Sequence, residues 1–575
     1  MKAAGEFHGV LVSQNSTVEL CHVAVHRENG VIPTMSRAEI SAVKHLEGIM
    51  LSAVRTASVV AATGCQVIVE AHIGLGLPGF TILGRPDDVC REARDRVRAA
   101  IVTSGFYWPS RRITLNLAPS THKKVGSALD LAIAIALLIS DEQLPAECAE
   151  GGALIGELGL DGRVRAVSGV APMVMALREE SSTYEHDDDS LPSMKPLSGV
   201  IVPAGNVAEA RIARPPSVRV AQTLRQVAEC LVGNLAWPDI SDLKVGDNPT
   251  EKSPDLSDVR GQAAARLGLE LSASGGHHLL LVGPPGSGKT MLAQRLPGIL
   301  PLLDDQTALE ATMIRSAAGE QLPPNGLVTR PPIRMPHHSA SAVSIVGGGS
   351  ASMRPGEVSL AHGGVLFLDE LGEFAPSTLD GLRQPLEEGV VRVARANTRV
   401  SLPARFTLIG ATNPCPCGGG APGSCECDEA ALAKYRRRFN GPFLDRFDVR
   451  VLVHRPGVEE LLGSEVGENT ESVAARVLRT RTIALERQGM LNARLSGELL
   501  EQHASVSEPG MDLLRYELEI GRLTGRGLHR VRRVARTLAD RDEHEGPLTD
   551  RHIAAALALR ARIAPRRGDD LRQAI

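Results

Sequence analysis

Two hydrophobic periods alternate along residues 50–237. Short apolar runs rich in β-branched residues predict strands, and longer stretches with apolar residues every three or four positions predict helices. The strands are expected at 58–62, 66–71, 113–117 and 199–202, and the helices at 86–104 and 127–139. The alternation indicates a mixed α/β domain.

The pattern changes on either side of this region. Residues 1–49 have no sustained period, so we expect a disordered extension or a mis-assigned upstream start. Residues 238–254 are polar and flanked by prolines, as in a linker. A second α/β pattern occupies 255–455, and residues 456–575 have a helical pattern.

Composition favours a cytoplasmic protein of several domains. The 575 residues exceed one hydrophobic core, and about three or four domains are expected. The net charge of −4 indicates that any surface for nucleic acid is local. The longest apolar stretch, 128–140, is well short of the ~20 residues that span a membrane. The nine cysteines are scattered or locally clustered, which favours a reducing compartment over a disulfide framework.

The most specific motif follows an apolar run and precedes a helical pattern. It consists of Gly283, Pro284, Pro285, Gly286, Ser287, Gly288, Lys289 and Thr290. Glycines let backbone N–H groups surround a phosphate, and the next helix presents its N-terminus to the same charge. We expect Lys289 to reach the β- and γ-phosphates and Thr290 to bind Mg²⁺. The motif predicts binding of a nucleoside triphosphate.

Two later strands end in residues suited to hydrolysis. The run 364–368 leads into Asp369 and Glu370, which suit Mg²⁺ binding and orientation of the attacking water. The run 406–412 leads into Asn413, which suits a polar contact with the γ-phosphate. The alternative for Asn413 is an ordinary turn residue before Pro414.

Arg446 stands in the stretch Phe443-Leu-Asp-Arg-Phe-Asp448. An arginine here is suited to reach the nucleotide of a neighbouring subunit, where it raises the rate by orders of magnitude. The alternative is an ion pair with Asp445 or Asp448.

Together these motifs resemble the ComM/YifB family of Mg-chelatase-like AAA+ ATPases. Further phrases carry the resemblance: Asp258-Val-Arg-Gly-Gln262, Met335-Pro-His-His-Ser-Ala-Ser341, Gly347-Gly-Gly-Ser350, Arg354-Pro-Gly-Glu-Val-Ser-Leu-Ala-His362, Leu382-Arg-Gln-Pro-Leu-Glu387 and Asn413-Pro-Cys-Pro-Cys-Gly418. It implies an AAA+ P-loop α/β core at 255–455, with an insertion near 322–346, and a C-terminal α-helical lid at 456–575. It also implies a homo-hexameric ring with ATP and Mg²⁺ between subunits.

The resemblance assigns one further arginine. Arg526 matches the lid arginine, or second sensor, of this group. Arg530, Arg532 and Arg533 are neighbouring alternatives.

Residues 50–237 resemble the amino-terminal domain of the same family, which shares an α+β fold with the Lon protease domain. The matching stretches are 74–84, 124–128 and 156–164. Ser127 falls at the Lon nucleophile, whereas Ala171 stands where Lon has its lysine. A serine without a neighbouring base is a weak nucleophile, so we predict that this domain is protease-inactive.

Two clusters suggest further ligands. Cys415, Cys417, Cys425 and Cys427 have the spacing C-x-C-x₇-C-x-C, which suits a closed tetrahedral structural Zn²⁺ site. The alternative is a reduced glycine-rich loop with free thiols.

The stretch 390–402 reads as a hairpin with a turn near 396–397, resembling the pore hairpins of ring helicases. Its Arg392, Arg395 and Arg399 suit salt-sensitive contacts to DNA phosphates, or alternatively a solvated face. His337 and His338 have no metal-site spacing, and we expect a packing or loop role for them.

The leading functional hypothesis is a hexameric, ATP-driven motor on branched or single-stranded DNA. The ComM-type resemblance implies branch migration in recombination and natural transformation. One alternative is the ATPase motor subunit of a porphyrin metal chelatase, which shares the same ATP-site residues. Another is an ATP-dependent protein remodelling factor. No membrane partner is expected.

Overall fold

The computed structural model describes residues 7–10, 20–23, 50–120, 123–183, 195–240, 254–348, 353–395, 398–418, 425–438, 441–462 and 467–561. Within the first 49 residues, β1 (Phe7–Val10) and β2 (Leu20–Val23) form an antiparallel pair. These paired segments are the described part of residues 1–49, and the sequence pattern did not predict them. Each strand is four residues long and carries β-favouring Phe, Leu or Val residues, but such a short run shows no readable period.

A seven-stranded mixed sheet organises the region up to residue 237, in the order β11-β10-β7-β3-β4-β6-β5. Its elements and a separate β8–β9 pair are β3 (Met50–Val60), β4 (Thr63–Gly74), β5 (Gly79–Leu83), α1 (Asp88–Thr103), β6 (Arg112–Ala118), α2 (Asp130–Ser140), β7 (Gly152–Leu154), β8 (Glu157–Leu158), β9 (Val164–Arg165), α3 (Val170–Thr183), β10 (Gly199–Pro203), α4 (Val207–Ile212), β11 (Val218–Ala221) and α5 (Leu224–Leu231). The predicted strands and helices are confirmed, although β3 and β4 are longer than expected. Every residue of α2 is buried, so the longest apolar stretch is a core helix.

A second, five-stranded sheet is entirely parallel, in the order β13-β16-β19-β12-β20. The elements of this region are α6 (Ala263–Gly275), β12 (Leu279–Val282), α7 (Lys289–Ala293), α8 (Leu296–Ile299), α9 (Asp305–Ala318), β13 (Ile333–Arg334), α10 (Ala342–Val346), β14 (Gly347–Gly348), β15 (Arg354–Pro355), α11 (Glu357–Leu360), β16 (Val365–Leu368), α12 (Pro376–Gly381), α13 (Arg383–Glu388), β17 (Val390–Arg395), β18 (Thr398–Pro403), β19 (Thr407–Thr412), α14 (Glu429–Arg438), α15 (Gly441–Leu444), β20 (Val449–Leu452) and α16 (Val458–Leu462). The sequence treats residues 322–346 as an insertion, but β13 lies inside that range and pairs with β16. Strand β13 is only two residues long, so the sequence shows no apolar run from which a strand could be predicted.

Both faces of this sheet are covered, because successive side chains of a strand point to opposite sides. Leu279 and Leu281 pack into one apolar cluster, and Leu280 and Val282 pack into another. A continuous apolar run such as β12 is therefore expected for a strand buried on both faces.

The last described segment, 467–561, is helical, as the sequence predicts. It contains α17 (Thr470–Gln488), α18 (Gly497–His503), α19 (Glu508–Glu519), α20 (Gly525–Arg541) and α21 (Asp550–Ala558). Val477 of α17 and Val531 of α20 share one apolar cluster with Leu269 of α6, so these helices pack on one face of the parallel sheet. None of the helices described here is both long and apolar enough to cross a membrane.

Candidate functional site

The predicted phosphate loop connects the carboxyl end of β12 to α7. Gly286 and Gly288 have φ values of +76° and +87°, a left-handed conformation that side chains with a Cβ rarely adopt. At Gly283, an added Cβ would lie 2.2 Å from the Val453 carbonyl oxygen, so the close approach of β20 requires glycine. The Ser287 hydroxyl is buried and has no hydrogen-bond partner among the described residues, which suits a phosphate oxygen.

Lys289 begins α7 and stays beside the loop. Its Nζ donates to the carbonyls of Gly283 and Pro284 at 2.8 and 2.9 Å and lies 3.4 Å from Asn413 Oδ1. Burial lowers the pKa of Lys289, and the carboxylates of Asp369 and Glu370 oppose that shift. The structure therefore brings together the phosphate-loop lysine, the strand-ending asparagine and the acidic pair, as the sequence predicts.

The acidic pair, Asp369 and Glu370, directly follows β16, and β19 lies between β16 and β12 in the sheet. The Thr290 hydroxyl donates to Asp369 Oδ2 at 2.6 Å, and these are the two oxygen groups expected to hold Mg²⁺. Their juxtaposition at the carboxyl edge fits that ion. Glu370 adopts a left-handed conformation, with φ of +50°, which is unusual for a residue with a Cβ.

His338 contacts the second carboxylate of this pair. Its Nδ1 lies 3.3 Å from Glu370 Oε2, and the imidazole rings of His337 and His338 have centroids 4.1 Å apart. The sequence predicts only packing or loop roles for these histidines. They follow β13, which adjoins β16, and this two-residue strand leaves no pattern in the sequence from which the contact could be predicted.

Arg446 lies at the opposite edge of the parallel sheet. It precedes β20, whose first residue, Val449, pairs with Leu279 at the start of β12, whereas the phosphate loop follows the end of β12. The two edges of a four-residue strand are about 10 Å apart, so the segment that carries Arg446 enters the sheet at the end remote from its own phosphate loop. Among the described ion pairs, neither predicted partner contacts Arg446. Asp445 pairs with Arg450, and Asp448 pairs with His277. Arg446 is instead paired with Glu387.

Arg446 and Arg526 line one cavity of about 320 Å³. The other lining residues are Glu387, His529, Arg530 and Arg533. Burial, followed by repulsion from Arg530, Arg526 and Arg383, lowers the pKa of Arg446. The buried Arg446 Nε, Arg530 Nη1 and Arg533 Nε have no hydrogen-bond partner within the described part of the chain. Such a concentration of guanidinium donors suits an anion.

The lid arginines divide into different environments. Arg526, which begins α20, is exposed at the cavity, whereas Arg532 pairs with Glu501 and donates to the Ala504 carbonyl inside the helical region. Arg530 lies 3.8 Å from Asp448, a buried carboxylate that also accepts from His277 Nδ1 at 3.0 Å. Arg532 is therefore a packing residue, and Arg526 remains the arginine most available to a ligand.

The four clustered cysteines converge. Their sulfur atoms all lie within 4.8 Å of one another, so they are able to hold a metal ion. Cys415 is buried, and Cys417 is exposed.

The hairpin is confirmed as β17 and β18, paired antiparallel from Val390↔Pro403 to Arg395↔Thr398. The Arg392 side chain is 61% exposed and pairs with Glu388. The side chains of Arg395 and Arg399 lie outside the described residues.

Ser127 has no lysine partner among the described contacts. Its hydroxyl donates to Glu157, and the nearby Lys124 directs its Nζ to the Pro119 carbonyl. Ala171 is fully buried, and its backbone N–H donates to Glu209. The described neighbour of the Ser127 hydroxyl is thus a carboxylate and not a lysine, and the absence of protease activity stays a prediction.

A phosphate loop, an acidic strand end and a polar strand end on one parallel sheet fit the nucleotide site of an AAA+ core. The chain matches "Magnesium chelatase, subunit ChlI" over residues 255–461, "Subunit ChlI of Mg-chelatase" over 69–184 and "Magnesium chelatase, subunit ChlI C-terminal" over 467–560. The chain belongs to the YifB/ComM family of magnesium-chelatase-like proteins.

Relatives match across most of their lengths. An uncharacterised protein of Mycobacterium tuberculosis is 44% identical over 86% of this chain and 95% of its own length. Uncharacterised YifB of Escherichia coli is 40% identical over 89% of this chain and 97% of its own length. Competence protein ComM of Haemophilus influenzae is 38% identical over 86% and 95%, respectively. A shorter match, 23% identical, covers 34% of this chain and 24% of a probable DNA helicase, MCM9, of Oryza sativa.

Proposed function

We propose that this chain is the subunit of a homo-hexameric, ATP-driven DNA motor that migrates branched DNA in recombination and natural transformation. The observation that carries the proposal is the placement of Arg446 and Arg526 at the sheet edge opposite to the phosphate loop. Because the chain's own phosphate loop lies at the other edge, an anion bound here would have to belong to another molecule. In a ring, the neighbouring subunit's ATP does so.

The residues then divide the chemistry of phosphoryl transfer among themselves. The phosphate-loop N–H groups and Lys289 hold the phosphates. Thr290 and Asp369 would hold Mg²⁺, which would supply positive charge to the nucleotide phosphates. Glu370 orients and polarises the attacking water, and Asn413 contacts the γ-phosphate. Arg446 of the neighbouring subunit stabilises charge that develops in the transition state.

Arg446, which we place at the interface between subunits, is linked to the hairpin through α13. Its partner Glu387 lies on α13, which packs against β17, and the next residue, Glu388, pairs with Arg392 of β17. If phosphate displaces Glu387 from Arg446, α13 is released together with the base of the hairpin. This connection provides a route from hydrolysis to movement of Arg392, Arg395 and Arg399 on DNA.

The DNA substrate is supported by the competence role in the name of ComM and by the helicase in the partial match. A second candidate is favoured by the magnesium-chelatase profiles: an ATPase motor that serves a porphyrin chelatase. Both candidates use the same ATP site, so the partner distinguishes them.

Strand displacement on a four-way DNA junction, with purified full-length protein and ATP, tests the leading proposal. We expect ATP-dependent displacement and faster ATP turnover with forked DNA than with duplex, and neither with Glu370→Gln. Parallel reactions contain a porphyrin-chelatase partner or an unfolded protein. Acceleration by either of these, without acceleration by DNA, would replace the motor with a chelatase or remodelling role.

A further inference from the structure

We propose that Cys415, Cys417, Cys425 and Cys427 bind one zinc-class, thiolate-preferring divalent ion, and that this ion positions Asn413 and the phosphate loop for hydrolysis. The inference deepens the proposed ATPase site and depends on ATP hydrolysis there. It does not depend on DNA as the partner.

The spacing of the sulfur atoms fits a tetrahedral ion. Four thiolates about 2.3 Å from a common centre are separated from each other by about 3.8 Å. Cys417 and Cys425 have sulfur atoms 3.8 Å apart, Cys415 and Cys425 3.7 Å, and Cys415 and Cys417 3.3 Å. A disulfide requires only about 2 Å, so these sulfurs are arranged around a centre rather than in bonded pairs.

The two cysteine pairs lie between the strand-ending asparagine and the helix that contacts it. Cys415 follows Asn413 by two residues, and Cys427 precedes α14 by two residues. Tyr435 of α14 donates its hydroxyl hydrogen bond to the Asn413 carbonyl at 2.8 Å, and its oxygen lies 2.9 Å from Thr412 Oγ1. An ion shared by both pairs therefore closes a ring of contacts around Asn413.

The same turn rests on the phosphate loop. The Gly418 N–H donates to the Cys415 carbonyl at 3.0 Å, and Gly418 has φ of +75°. A Cβ added to Gly418 would lie 2.9 Å from Pro285 Cδ, so the backbone of the cysteine turn is in close contact with the phosphate loop. Both groups that face the γ-phosphate, Asn413 and the loop, are thus supported by the cysteine cluster.

The expected consequence is a defect in turnover rather than in nucleotide affinity. The Lys289 Nζ is held by the carbonyls of Gly283 and Pro284, whereas the cysteine turn meets the loop at Pro285, so the cation that binds the phosphates keeps its own contacts. Asn413 acts on the γ-phosphate during hydrolysis, and its position depends on Tyr435 and the turn. Loss of the ion should therefore lower kcat and leave the Kd for ATP nearly unchanged.

The test compares the full-length wild type with the double variant Cys425→Ser/Cys427→Ser, with Tyr435→Phe and with the control Cys148→Ser, which alters a cysteine on the other sheet region. Bound metal is measured by elemental analysis, nucleotide affinity with a fluorescent ATP analogue, and kcat by phosphate release. We expect about one zinc-class ion per chain in wild type and control. The double variant should hold none and lose about 10- to 100-fold in kcat. Tyr435→Phe should keep the ion and lose about two- to tenfold in kcat.

Wild type that takes up no thiolate-bound Zn²⁺ or Co²⁺ after reconstitution would overturn the metal site. Wild-type kcat in Tyr435→Phe would overturn the positioning role. If the double variant does not fold, metal content of the wild type and kcat of Tyr435→Phe decide the question. If kcat depends on the bound metal but is not raised by DNA, the DNA-motor proposal is wrong and this inference still holds.

Discussion

Arg446 forms an ion pair with Glu387, at the sheet edge opposite to the phosphate loop of the same chain. Glu387 thus occupies the guanidinium that we assign to the neighbouring subunit's ATP. We therefore expect the Glu387 carboxylate and the neighbouring subunit's nucleotide to compete for Arg446.

Glu387→Gln should free Arg446 for the nucleotide. The Glu387 carboxylate is exposed, so solvent screens the pair and limits its contribution to about 1 kcal/mol; kcat/KM for ATP without DNA should therefore rise by up to about fivefold. Stimulation by DNA should fall, since α13 no longer senses the arginine. Steady-state ATPase assays with and without forked DNA measure both effects. Asp380→Asn, which alters an exposed carboxylate on α12, is the control; unchanged stimulation in Glu387→Gln would argue against the coupling.

His338→Ala should increase basal ATP turnover by about two- to fivefold. The imidazole Nδ1 lies 3.3 Å from Glu370 Oε2, and this contact competes with the attacking water for the carboxylate. His337→Ala is the matched control, because His337 Nδ1 contacts only its local neighbour Ser339 among the described hydrogen bonds. Equal effects of the two substitutions would point to loop packing instead.

Arg446→Ala and Lys289→Ala should complement each other in mixed rings. Each variant alone should lose about 10³-fold or more in kcat. In a random equal mixture, about a quarter of the interfaces combine an intact phosphate loop with an intact arginine from the neighbour. Phosphate release should recover toward that fraction. A mixture no more active than its components would indicate that Arg446 does not act between subunits.

Lys289→Ala and Glu370→Gln should separate binding from hydrolysis. Lys289→Ala removes the cation that reaches the phosphates, so tight ATP binding should be lost. Glu370→Gln should bind ATP normally and lose at least about a hundredfold in kcat, because the amide polarises water poorly. Equilibrium binding and single-turnover hydrolysis distinguish these outcomes. Retained affinity in the first variant, or near-normal turnover in the second, would contradict the assignments.

His278 predicts a loss of stability in acid. It is half-buried and directly precedes β12, and its Nδ1 accepts from the Leu408 N–H at 3.0 Å. Burial lowers the pKa of His278 from 6.5 to about 4; nearby Asp448 opposes the shift, and His277, Arg530 and Arg446 reinforce it. The folded state keeps the ring neutral, so the stabilisation is complete above the unfolded pKa and is lost as the pH falls from about 6.5 to about 4.

Melting temperature measured by calorimetry from neutrality to about pH 4 tests this dependence. His278→Gln retains an acceptor but cannot take up a proton. As the pH is lowered, its melting temperature should therefore fall less steeply than that of the wild type, by a difference in slope that corresponds to up to about one bound proton. An identical slope in both proteins would show that other groups cause the acid loss.

The sequence by itself determined the phosphate loop, the acidic strand end, Asn413, the hairpin and the cysteine spacing, because each is a local pattern whose chemistry depends on neighbouring residues. Two features escaped it for the same physical reason. Strand β13, of two residues, is too short to show a period, and β1 and β2 have only four residues each.

Only the tertiary structure decided which distant residues meet. The parallel sheet places His338 beside Glu370, although 32 positions separate them, and it sets Arg446 at the opposite edge from Lys289. It also pairs Arg446 with Glu387 rather than with Asp445 or Asp448, and brings Tyr435 to Asn413. Such contacts follow from strand order and register, which depend on the packing of the whole core and leave no local signature in the chain.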